Sequence, residues 1–92
     1  MHIIFVSPKD DTVKYEDVKS VIVAMTDIYC SFNINCWCVD RAGTSEKIRN
    51  ALKRTGMFDR CVVFALNGNW ASSGLSEKVT NWLKEVIYLP VD

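Results

Sequence analysis

Two unbroken apolar runs constrain this chain more than any other feature: Ile3-Ile4-Phe5-Val6 near the start, and Cys61-Val62-Val63-Phe64-Ala65-Leu66 in the second half. Neither alternates with polar residues, and each is bounded by turn signals, so each reads as a β-strand apolar on both faces. Pro8 stops the first, because proline lacks the N–H that a continuing ladder needs. Asn67-Gly68-Asn69 marks a turn after the second. A chain of 92 residues has room for one core only, so the expectation is a single domain spanning 1–92.

Between and after these strands the apolar period changes. Val18, Val21, Ile22, Met25 and Tyr29 recur at three- and four-residue steps, the stripe of an amphipathic helix, with Glu16 and Asp17 in its first turn. Thr44 is a good N-cap for a second helix with Ile48, Ala51 and Leu52 inward, and Gly56 suits the position just past its end. Ser76 caps a third, with the stripe Val79, Trp82, Leu83 and Val86. Ser31 to Val39 is either one long strand or two short ones bending near Asn33 and Asn35. Cys36 and Cys38 lie on one face of that segment, and Asn35, Trp37 and Val39 on the other. Ile87-Tyr88-Leu89-Pro90-Val91 reads as a short final strand.

The order of elements predicts an α/β sheet with helices packed on it. With a hairpin in the middle it becomes βαββαβ, the ferredoxin-like plait, with an extra C-terminal helix and short strand. That plait places its helices on one face of the sheet. Strands apolar on both faces then need a cover for the open face, and a second copy of the chain supplies it most simply. The expectation is a homodimer.

Lys plus Arg and Asp plus Glu both number 11, and zero net charge argues against broad capture of phosphate backbones. Cys30, Cys36, Cys38 and Cys61 sit in apolar runs, where a free thiol acts as a small hydrophobe. The start of the sequence has no basic n-region and no apolar run long enough for a signal peptide, and no stretch reaches the ~20 residues that span a bilayer. The expectation is a cytoplasmic protein with reduced cysteines and no membrane association.

Few residues offer chemistry. Asp10 and Asp11 are a loop pair of the kind that makes turns, and also the only candidates for a carboxylate metal site. Cys36-Trp37-Cys38 lacks the paired C-x-x-C spacing of zinc sites, and His2 is the one histidine, so neither a metal nor a nucleophilic centre is expected. Arg41, Lys47, Arg49, Lys53 and Arg54 cluster on and before the second helix: a phosphate-binding patch, or a solvated helix face. Trp70, in a Gly- and Ser-flanked loop, either stacks on a partner or folds back over the core edge.

A familiar order runs through the second half. Trp37 in its strand is followed by Thr44-Ser45-Glu46-Lys47-Ile48-Arg49-Asn50-Ala51-Leu52; Asp59 leads the strand Cys61–Leu66; then come Gly68-Asn69-Trp70-Ala71 and Trp82-Leu83-Lys84. This resembles the SinR-like small proteins, relatives of the CRISPR-associated ferredoxin-like integration subunit family. The resemblance implies a ferredoxin-like plait whose two copies pack sheet to sheet, with C-terminal strands crossing to the partner. Nuclease members of that family carry an Asp at the end of the first strand; the matching position here is about Ser7, and a hydroxyl does not replace a carboxylate as principal ligand. The expected function is therefore a non-catalytic interaction module without a cofactor, binding an unidentified macromolecular partner as a homodimer, in a setting such as mobile-element defence or anti-defence. Two alternatives stay open: a Mg-dependent endonuclease using Asp10 or Asp11, and a nucleic-acid-binding protein using the basic cluster.

Overall fold

A computed structural model describes residues 1–90. The elements are β1 (His2–Pro8), α1 (Tyr15–Met25), β2 (Tyr29–Asn33), β3 (Cys36–Val39), α2 (Ser45–Arg54), β4 (Phe58–Ala65) and α3 (Glu77–Glu85). The strands form one antiparallel sheet in the order β2-β3-β1-β4. The described residues thus make a small α+β fold of four strands and three helices. Among the described residues no helix is long and apolar enough to cross a membrane.

The middle segment resolves into a hairpin. Asn33 accepts the Asn35 N–H through its side-chain Oδ1 at 2.8 Å, and Trp37 Nε1 donates to the Ile34 carbonyl at 2.9 Å, so the polar groups freed by the bend find local partners. Asn35 also ties the turn to β1, donating from Nδ2 to the Val6 carbonyl at 3.0 Å.

Helices α1 and α2 lie over one face of the sheet, around Ile4, Val6, Val18, Ile22, Trp37, Val39, Ile48 and Leu52. Trp37 is fully buried there, with the Tyr15 ring stacked on it at 5.2 Å between centroids. Thr44 caps α2 by accepting the Lys47 N–H, Ser76 caps α3 by accepting that of Val79, and Gly56 takes φ +68° past the end of α2. The opposite face has its own smaller cluster. Met1, Cys38 and Leu83 are buried in it, with Ile3, Phe32, Leu66, Trp70 and Tyr88 packed around them.

Three expectations are corrected. Helix α1 ends at Met25 and Tyr29 opens β2, because the Thr26 hydroxyl accepts the Ile28 N–H and turns the chain out of the helix. Residues Ile87 to Pro90 form no strand; Val91 lies outside the described residues. Their backbone groups are taken by tertiary partners instead: the Leu89 N–H donates to Asp40 Oδ1 at 2.7 Å, the Met1 ammonium donates to the Leu89 carbonyl at 2.8 Å, and the Gly43 N–H donates to the Pro90 carbonyl. Tyr88, at φ 56°, provides the bend this requires. Finally, β4 is an edge strand, and none of its residues is buried in the single chain.

Candidate interaction surface

Because side chains alternate along a strand, the register fixes which residues share the α3 face of the sheet: Ile3, Phe5 and Ser7 of β1 stand opposite Phe64, Val62 and Arg60 of β4. Helix α3 approaches this face over β2, and the loop after β4 folds over Ile3, Cys38 and Leu66. The cover stops short of the β1–β4 half. Phe5 remains 42% exposed, Val62 43% and Phe64 53%. The Phe5 and Phe64 rings meet edge to face at 6.2 Å, so the three side chains make one patch rather than isolated exposures. Beside it, Phe5, Ser7, Asn35, Arg60 and Val62 line a shallow recess of about 480 Å3.

Ser7, one residue before the end of β1, lines this recess together with its cross-strand neighbour Arg60. The position that the family resemblance associates with a carboxylate therefore holds a neutral hydroxyl, with an arginine as its cross-strand neighbour. Asp10 and Asp11 are both exposed on the following loop. The Asp10 carboxylate accepts hydrogen bonds from the Thr12 backbone N–H, at 2.9 Å, and from the Thr12 hydroxyl. These bonds hold its pKa below the usual carboxylate value and commit the group to closing a turn. Among the described residues no group of three or more His, Cys, Asp or Glu side chains gathers as a metal site.

The basic cluster divides into two. Ile48 and Leu52 turn inward, which places Lys47 and Arg54 on one flank of α2 beside Ala51, and Arg49 and Lys53 on the other. Arg49 is occupied locally, donating to Asn50 Oδ1 at 2.8 Å and lying 3.8 Å from Glu46. Arg41, half-buried, lines a groove between α1 and α2. Trp70 is half-buried against the Met1–Cys38–Leu83 cluster.

Two buried polar features belong to the scaffold. Asp40 and the Met1 ammonium form an ion pair at 3.3 Å with both groups fully buried. His2 is also fully buried, and neither ring nitrogen has a hydrogen-bond partner. Burial, with the Met1 ammonium close by, lowers its pKa. Cys38 sits among apolar side chains with Cys36 and Cys30 nearby, and burial pushes its thiol up to about 12.

The apolar runs of β1 and β4 imply an open sheet face in the single chain; which of their residues stay exposed, Phe5, Val62 and Phe64, depends on how far α3 and the loop after β4 reach across it. Compared with protein-family models, with curated proteins and with solved structures, the chain matches none.

Proposed function

We propose that this chain is a non-catalytic interaction module that works as a homodimer, with the Phe5–Val62–Phe64 patch as the contact between copies. The observation that carries the reading is that patch: Phe5 and Phe64 in ring contact, with Val62 the cross-strand neighbour of Phe5, all left in water while the α3 half of the same sheet face is covered. An exposed cluster of this kind marks an association surface. It lies next to the free edge of β4, so a two-fold related copy meets the same residues it presents.

The strand order, with α1 and α2 crossing over one face, supports the ferredoxin-like plait and, through it, the likeness to SinR-like proteins. The pairing of Ser7 with Arg60 supports an inert rather than a nucleolytic site, because a guanidinium repels the divalent cation that a carboxylate would attract. In this reading the protein binds a macromolecular partner and takes no cofactor.

Sedimentation equilibrium at micromolar concentration tests the dimer: the expected mass is twice 10.5 kDa. Incubation with labelled RNA and DNA in Mg2+ or Mn2+ tests the inert site. Cleavage that Asp10→Ala or Asp11→Ala abolishes would replace this reading with the endonuclease one.

A further inference from the structure

Helices α1 and α2 cover the same sheet face yet stand apart from each other, leaving a groove of about 860 Å3 between them. Its walls come from the facing flanks of the helices: Val21, Ala24 and Met25 on α1, Ala51 on α2, with Val13 and Met57 from the loops. Ala24 and Ala51 keep it open, since a longer side chain at either position would fill the gap. Its apolar surface is aliphatic and thioether, with no aromatic ring, and Thr12, Ser20 and Thr55 add hydroxyls to the lining.

Charge is distributed along this groove in a particular way. Lys9 follows the Pro8 end of β1, whereas Arg41 follows Val39, which pairs with His2 at the opposite end of that strand. The two cations are thus separated by about the length of β1, seven residues or roughly 20 Å. Lys47 and Arg54 stand on the same flank of α2 as Ala51, one turn before and one turn after it. Asp17 is the single acid lining the groove. None of Lys9, Arg41, Lys47 and Arg54 forms an ion pair among the described residues. Lys47 and Arg54 flank the groove without lining it, so a chain of zero net charge places one cation, Lys9 or Arg41, toward each end of a groove that is apolar between them.

We propose that this groove docks a short extended peptide segment of a partner protein, aliphatic at its centre and acidic toward both ends. The inference rests on the interaction-module reading and gives that partner a surface distinct from the dimer contact. Length and charge select the occupant. About six extended residues span the distance between the cations, carboxylates at both ends meet Lys9 and Arg41, and aliphatic side chains replace water over Val21, Met25 and Met57. A nucleic-acid strand fits less well, because the groove offers no ring on which a base would stack.

The chain's own methionines provide the test. Its three methionines are Met1, Met25 and Met57; two line the groove, and the third is buried in the cluster on the opposite face. With 13C-methyl methionine in the full-length chain, the probe is the acetylated, amidated peptide EELVVLEE, with KKLVVLKK and a thymidine single strand as controls. The expected result is saturable shifting of the Met25 and Met57 methyl signals by the acidic peptide, with Met1 unmoved. Lys9→Glu and Arg41→Glu should each weaken the titration about tenfold, and an unchanged Met1 signal verifies that each variant is folded. Silent Met25 and Met57 signals, an equal response to the basic peptide, or tighter binding of the oligonucleotide would overturn the proposal. Sedimentation of the same samples separates the two readings: a monomer that binds the acidic peptide defeats the dimer alone, and a dimer that ignores it defeats the groove alone.

Discussion

Replacing Phe64 by threonine should dissociate the dimer while leaving each copy folded. Threonine keeps the β-branched preference for strand, so β4 itself is not penalised. Phe64 is 53% exposed; for a phenylalanine of about 200 Å2, about 100 Å2 remains to be buried by a partner. At about 25 cal/mol per Å2 that is about 2.5 kcal/mol per copy, and a two-fold interface counts it twice. Threonine retains part of the area, so the net loss is about 3 to 4 kcal/mol, a dimer weakened roughly several-hundredfold. Within one chain the substitution loses the edge-to-face contact with Phe5, worth about 1 kcal/mol, and part of the ~100 Å2 already buried there, worth about 1–2 kcal/mol more. Sedimentation equilibrium across micromolar concentrations reads the first number, and urea denaturation of the monomeric variant reads the second. A dimerisation constant within about threefold of the parent would refute the assignment of this patch.

Three further outcomes follow from the alternation of faces and from the buried polar groups. Val62→Glu should give a folded monomer, whereas Val63→Glu, whose half-buried side chain packs against the helix-covered core, should also lower the urea midpoint, since a partly desolvated carboxylate without a partner costs about 1–3 kcal/mol. If both variants unfold, β4 is not the edge described. Folding lowers the pKa of His2 from 6.5, so the folded chain binds fewer protons than the unfolded one; stability is intact above that value and falls as the pH drops below it. His2→Leu should flatten the urea midpoint between neutral pH and about pH 5, and an unchanged slope would remove His2 as the cause. Cys38 should resist iodoacetamide at mildly alkaline pH until denaturant is added; native labelling at the rate of an unfolded thiol, read by mass spectrometry, would contradict its burial.

Much of this architecture is legible in the sequence because local chemistry dictates it. The caps Thr44 and Ser76, the left-handed Gly56 and the division of Cys36 and Cys38 from Trp37 and Val39 each follow from a few neighbouring residues. Tyr29 misleads because its four-residue step from Met25 continues a helical period by coincidence, while the Thr26 turn that ends the helix carries little signal. The tail from Ile87 looks extended, but its hydrogen bonds go to Asp40, Met1 and Gly43, which are distant in sequence. The β1 and β4 runs announce two apolar faces; how much of the second face α3 and the following loop cover is settled only by packing. The α1–α2 groove is similarly hidden, since Ala24 and Ala51 look like ordinary helix formers until the helices stand side by side.

Contact between two copies through the β1–β4 half of the sheet is directly visible in a mixed-label dimer. One copy carries protonated phenylalanine rings, the other 13C-methyl valine on a deuterated background, and isotope-filtered NOEs are recorded between them. The Val62 methyls of one copy should show contacts to the Phe5 and Phe64 rings of the other. A monomer, or intermolecular NOEs that leave Val62 silent and arise instead at Val23 on the outer side of α1, would contradict it.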